Sequence, residues 1–219
     1  MPVRIAPWPC AGNTENALRF GGDSSRRVLI LSALFDEHNK LRRFTIDLMR
    51  ALEAAGVASV LPDLPGCNES LAPLAEQTIS GWREAVSAAA RHFEATEVLS
   101  IRGGALLAPG GLPLTHYAPA AGGTILRGLL RAAVLSEREA GREVTRKALL
   151  ARGLREGLVL AGYSLSAAML AELEAAEPGP AARTIAQSEV GGPSLWLRAE
   201  PGDDAEQAAR LAGVVARLP

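Results

Sequence analysis

The run Val98-Leu99-Ser100-Ile101-Arg102-Gly103-Gly104-Ala105-Leu106-Leu107-Ala108 joins an apolar strand pattern to a double-glycine turn and an apolar helical pattern. Strand, tight turn and helix make the local design of a nucleophile elbow, G-x-S-x-G, in which the turn lifts one side chain above the sheet. The lifted position here is Arg102, and a guanidinium keeps its proton, so it cannot attack a carbonyl. Its fork of N–H donors at a helix start suits an anionic ligand, or an internal carboxylate such as Glu37 or Asp63. Ser100 shares that face of an extended strand but sits lower, nearer the buried sheet, where a serine bonded to backbone is the plain alternative. A second elbow-like run, Leu158-Val159-Leu160-Ala161-Gly162-Tyr163-Ser164-Leu165-Ser166, offers Ser164 as nucleophile, with small Ser166 in place of the last glycine. Either serine would equally cap the helix that follows.

A serine nucleophile needs a base, and the chain has three histidines, His38, His92 and His116, none of them after Ser164. His92 falls within a helical pattern beside Phe93 and reads as a surface or boundary residue. Ser164 with His38 or His116, oriented by Asp63 or Glu37, is the dispersed arrangement left open, since such sites are set by geometry rather than chain order. Asp203 and Asp204 offer a further acid, although Pro-Gly-Asp-Asp also reads as a turn and helix cap. The candidate catalytic residues are therefore Ser164, Ser100, His38, His116 and Asp63. The candidate ligand-binding residues are Arg102, Glu37, Asn39 and Lys40, with Lys40, Arg42 and Arg43 also readable as solvated helix charge.

Other chemistries lack their residues. Gly103-Gly104 and Gly110-Gly111 do not form G-x-G-x-x-G after the first strand, and no Walker A sequence or zinc-type cysteine and histidine spacing occurs. No cofactor or metal is expected. The 219 residues carry 23 basic and 24 acidic side chains, a net charge of −1, so no global field favours nucleic acid or an anionic membrane. No apolar run is long enough to span a bilayer, and residues 1–25 lack the apolar core of a secretory signal. Cys10 and Cys67 form no framework and read as reduced thiols in a cytoplasm.

The positioning elements follow from periodicity. Apolar segments Arg27 to Leu34, Val57 to Leu61, Glu97 to Ile101, Leu158 to Ala161 and Ser194 to Ala199 predict strands, with a sixth at Leu112 to Tyr117. Between them fall helical patterns at Asn39 to Ala55, Thr78 to Ala95, Gly122 to Leu135, Glu143 to Leu154, Ser166 to Glu177 and Asp203 to Leu218. Asn39 is the expected cap of the first. Alternation of short, continuously apolar strands with helices predicts an α/β class: a mostly parallel sheet with helices on both faces, in one domain spanning 1–219. Open sheets of this kind place ligand sites at the strands' C-terminal ends, where Phe35 to Lys40, Pro62 to Ser70 and Arg102 all fall.

In this order the motifs resemble an α/β-hydrolase. Asp63, Gly66 and Ser70 match the D-x-x-G-x-G-x-S turn of that fold, with Asn68 standing where a second glycine is usual. More narrowly, Glu37 to Arg43, Leu61 to Gly66, Arg102 to Ala108, Gly122 to Arg127, Ala161 to Tyr163 and Leu195 to Leu197 resemble the hydrolase-like proteins associated with exosortase A in exopolysaccharide-producing bacteria.

The resemblance implies a nucleophile at Arg102, an oxyanion hole near His38, and a catalytic histidine after the last strand. Glu200 to Pro219 contains none. It also implies residues 118–156 as a helical lid-like excursion and a cytoplasmic protein. Two readings follow. One is a hydrolase-derived accessory protein with a degenerate site, taking a small-molecule ester, an anionic ligand or a protein partner. The other is a serine esterase or acyl hydrolase using Ser164 or Ser100 with a displaced histidine.

Overall fold

Strands apolar along their whole length need cover on both faces, and the helices supply it. The computed structural model describes residues 4–22 and 24–218. The remaining ends of the expected 1–219 unit, with Asp23, lie outside the described residues. In chain order the elements are β1 (Arg4–Cys10), β2 (Asn13–Phe20), β3 (Arg27–Leu31), α1 (Asp36–Ala54), β4 (Ala58–Pro62), α2 (Ile79–His92), β5 (Glu97–Ile101) and β6 (Leu114–Tyr117). They continue as α3 (Gly122–Glu139), α4 (Arg146–Glu156), β7 (Leu158–Leu160), β8 (Tyr163–Leu165), α5 (Ala167–Ala175), β9 (Arg183–Ile185), α6 (Gln187–Val190) and α7 (Ala205–Ala216).

The main sheet has the order β1-β2-β4-β3-β5-β6-β9. β2 runs antiparallel to both neighbours, and β4, β3, β5, β6 and β9 run parallel. One face is covered by α1 and α7, burying Phe44, Leu48 and Leu211. The other is covered by α2, α3, α4 and α5, through Trp82, Leu126, Leu149 and Leu170. Leu48 and Trp82 have no exposed surface, so truncating either to alanine would cost about 2–5 kcal/mol.

The sequence reading and the structure part company in five places, each with a local cause. The apolar pattern predicts no strand before Arg27, yet β1 and β2 form a hairpin on the main sheet; Pro7 and Pro9 fall on its edge strand, where the missing N–H groups cost little. α1 begins three residues before the expected cap at Asn39, with Phe35 as the residue before the first turn and Asp36 and Glu37 complementing its positive end. The expected strand at Ser194 to Ala199 is a 3-10 turn at Leu195–Leu197, held between Pro193 and Pro201, and the last strand is instead β9. The expected helix after Arg102 is a six-residue 3-10 stretch, Arg102–Leu107, followed by Pro109, two glycines and Pro113.

The fifth departure is at Leu158 to Ala161, where a core strand is expected. β7 and β8 form a separate two-stranded sheet, outside the main one. Ala161 and Gly162 join them with φ of 49° and 86°, the two positive values a tight two-residue hairpin needs. Gly162 is there for the hairpin rather than for an elbow.

Candidate functional site

β5 ends at Ile101 and the chain turns at once, leaving Arg102 with φ 54°, a left-handed conformation that costs a side-chain-bearing residue free energy. The turn stays tight because a Cβ at Gly104 would collide with the Leu31 carbonyl oxygen of β3. The fold therefore lifts residue 102 above the sheet as an elbow does, and what it lifts is a guanidinium.

That guanidinium is fully engaged. Nε and Nη2 donate to the two carboxylate oxygens of Glu37, each at 3.0 Å, and Nη1 donates to the Ala118 carbonyl at 2.8 Å. Its carbon sits 4.3 Å from the centre of the Trp196 ring. The side chains of Arg102 and Glu37 are 12% and 21% exposed, so the pair is largely withdrawn from water. Bidentate geometry and a stacked aromatic face are what make such a withdrawn pair tolerable. Above it lies a groove of about 580 Å³ between α1 and α3, walled by Lys40, Arg127, Arg131, Leu135 and Trp196. Lys40 is tied to Asp36 at 2.8 Å, one turn away on its own helix.

The serine and histidine candidates fall in three separate places. Parallel pairing sets Ser100 of β5 beside His116 of β6, and Ser100 Oγ lies 2.6 Å from His116 Nδ1. On the far side of the ring, Nε2 lies 3.0 Å from the Gly179 carbonyl, which can only accept. That bond assigns the proton to Nε2 and leaves Nδ1 to accept from the serine hydroxyl. The contact resembles a nucleophile–base pair, yet a backbone carbonyl, not a carboxylate, stands behind the ring. Ser100 is 0% and His116 2% exposed, so no substrate reaches the hydroxyl without parting the strands.

Ser164 lies exposed on β8 opposite Val159, and among the described residues no histidine hydrogen-bonds to it. Ser166, two residues on, caps α5 by accepting from the Met169 N–H at 3.0 Å. The arrangement written from sequence, with Ser164 on an elbow, is therefore replaced by a hairpin and a cap.

His38 occupies the first turn of α1, its Nδ1 3.0 Å from Ser32 Oγ in the loop just after β3. Its Nε2 is buried and has no hydrogen-bond partner. Burial, and then the Arg42 guanidinium, push its pKa below the usual imidazole value, outweighing the Asn68 side chain and the Ala33 backbone near the ring, so the ring is neutral at pH 7. Asp63 accepts from Asn68 Nδ2 at 2.6 Å, and Asn68 Oδ1 accepts from Arg42 at 3.1 Å. Burial raises the Asp63 pKa. Neither His38 nor His116 has a hydrogen bond to Asp63 among the described residues. Asn39 donates to the Tyr163 hydroxyl at 3.0 Å instead of capping α1.

Among the described residues, no three His, Cys, Asp or Glu side chains come together as a metal site. Sequence reasoning missed Ser32, Tyr163 and the aromatic lid Trp196. Trp196 falls in a segment whose apolar pattern predicts a strand, and its place across Arg102 comes from the 3-10 turn found there.

No protein-family model matches the sequence, and no curated protein is similar to it. Solved structures do match. Est1E from Butyrivibrio proteoclasticus, with ferulic acid bound, superposes with a TM-score of 0.56 at 15% identity over 78% of this chain and 71% of that one. The epoxide hydrolase VrEH1 from Vigna radiata (TM-score 0.45, 17% identity) covers 53% of this chain and 38% of its own. Epoxide hydrolase A from Mycobacterium thermoresistibile (0.43, 16%) covers 53% and 39%. The chain thus spans about two fifths of the length of the two epoxide hydrolases. The likeness to Est1E, together with a mostly parallel sheet clothed by helices on both faces, makes the fold that of the α/β-hydrolases.

Proposed function

We propose that this chain is a hydrolase-derived protein with a degenerate catalytic site, working as a non-catalytic or weakly active accessory protein. The observation that carries the reading is Arg102: the elbow position holds a guanidinium whose fork is occupied by Glu37 and whose face is covered by Trp196. Acyl transfer needs a nucleophile there, a histidine beside it and a carboxylate behind the histidine. An ion pair fills the first place. His38 and His116 are each bound to a different serine away from the elbow.

The groove above Arg102 is the place for a ligand in this reading: an anionic or ester-bearing small molecule, or a segment of a protein partner. The resemblance of several runs to exosortase-associated hydrolase-like proteins supports a cytoplasmic role alongside exopolysaccharide and protein-sorting machinery. No described helix is long and apolar enough to cross a membrane.

The second reading is a serine esterase or acyl hydrolase, and the 2.6 Å contact between Ser100 and His116 favours it. Burial of both groups, the carbonyl behind the ring and the exposed, unpaired position of Ser164 count against it. A fluorophosphonate probe separates the two. Folded protein is expected to stay unlabelled by intact mass; a stoichiometric adduct on Ser100 or Ser164 would overturn the accessory reading.

A further inference from the structure

Away from the elbow, a second cavity of about 220 Å³ opens between the loop after β3, the loop after β4 and the hairpin β7–β8. Phe35 lines both this cavity and the groove over Arg102, and so stands as the wall between them. We propose that this cavity binds a small, uncharged aromatic molecule carrying one hydroxyl group, a phenol by class, with His38 Nε2 as its polar contact.

Three observations carry the proposal. The walls are mostly aromatic and aliphatic: Phe35 lies 5.7 Å from Trp82 and 5.4 Å from Tyr163, Leu64 and Leu74 add aliphatic surface, and the polar side chains of Ser32, Asn39 and Asn68 also reach the lining. A flat ring finds edge and face contacts there of the kind aromatic pairs favour. A cavity of about 150 Å³ already admits benzene, so the volume suffices for a substituted ring.

The second observation is the orphaned nitrogen. Buried polar atoms are nearly always hydrogen-bonded, and a buried one without a partner calls for an explanation. His38 Nε2 is such an atom, on a residue that lines the cavity. Its Nδ1 is committed to Ser32 Oγ. Whichever ring nitrogen carries the single proton of the neutral imidazole, a hydroxyl group satisfies Nε2, because a hydroxyl both donates and accepts. A carboxylate or ammonium would have to shed its hydration against mostly apolar walls, and no residue lining the cavity carries an opposite charge.

The third is a side-chain bridge in the lining. Asn39 Nδ2 bonds to the Tyr163 hydroxyl, so that part of the wall joins α1 to β8 through side chains rather than through the main sheet. Binding here is independent of the accessory reading of the elbow, since none of these groups touches Arg102.

Calorimetric titration of the full chain at pH 7 with 4-methylphenol, and with toluene as the isostere lacking the hydroxyl, tests it. The phenol is expected to bind one to one with Kd below about 1 mM. Toluene is expected to bind at least about tenfold more weakly, the worth of one buried hydrogen bond. Cys67→Met and, separately, Leu74→Phe place extra atoms in the cavity and should each abolish the heat, with folding checked by circular dichroism. The proposal is overturned by no binding to folded wild type, by equal affinity for toluene, or by wild-type affinity in whichever filled variant folds.

Discussion

Removing one partner of the Arg102–Glu37 pair should cost far more than removing both. Glu37→Gln keeps the size of the side chain and one acceptor oxygen but removes the negative charge and turns the second acceptor into a donor facing the guanidinium, which keeps the Ala118 carbonyl and the Trp196 ring. Breaking a fully buried pair costs about 3–5 kcal/mol, because the remaining charge has lost its compensation. Here the two side chains retain 12% and 21% of their exposure, so water can partly reach them and about 2–3 kcal/mol is the reasonable figure. For a chain of this size that corresponds to a fall in Tm of roughly 5–10 °C. Arg102→Met should cost somewhat less, about 1–2 kcal/mol, since the freed Glu37 is the more exposed partner. The double variant should cost no more than about 1 kcal/mol, giving a coupling of about 2 kcal/mol or more in the cycle. Urea unfolding of the four proteins measures it. Additive effects, or a Glu37→Gln loss below about 0.5 kcal/mol, would refute the view that this pair is a withdrawn, mutually compensating lock.

Three further outcomes follow from the same geometry. Ser100→Ala leaves His116 Nδ1 buried without its donor and should cost about 1–3 kcal/mol in urea unfolding, while Ser164→Ala, on an exposed hairpin, should stay within about 0.5 kcal/mol. His38 is held below its usual pKa of 6.5 by burial, so the unfolded chain takes up the proton first as pH falls. Wild type should therefore lose stability relative to His38→Gln between about pH 7 and pH 5, read as the difference in Tm; a gap independent of pH would contradict the buried, neutral ring. Burial pushes the Cys67 thiol up to about 12, so iodoacetamide at pH 8 should modify it slowly in folded protein and rapidly in urea, followed by mass.

Much of this was legible in the chain because it lies in short-range pattern. The strand at Glu97 to Ile101, the turn at Arg102 and the absence of a histidine after residue 199 are all local facts. So is the alternation that predicts a mostly parallel sheet. What sequence could not supply were the choices settled by distant partners. Gly162 serves equally in an elbow or a two-residue hairpin, and only pairing of Leu158–Leu160 with Tyr163–Leu165 decides for the hairpin. The run Ser194 to Ala199 has strand composition, but with β9 already beside β6 it becomes a 3-10 turn that sets Trp196 over Arg102. Glu37 as the partner of Arg102 was one of two carboxylates open from sequence. Asp63 instead faces Asn68, whose φ of 50° bends the loop after β4 and sets its amide against the carboxylate. The contacts of His38 with Ser32, and of His116 with Ser100, depend on side-chain direction, which periodicity does not encode.

The most direct measurement is ester hydrolysis by Arg102→Ser, checked for folding and assayed with a short-chain p-nitrophenyl ester beside wild type. Restoring a hydroxyl at the lifted position removes the ion pair but brings no histidine to it, so hydrolysis at the buffer background is expected. Turnover well above wild type, lost again when His38 or His116 is replaced by glutamine, would mean that a working base does reach the elbow.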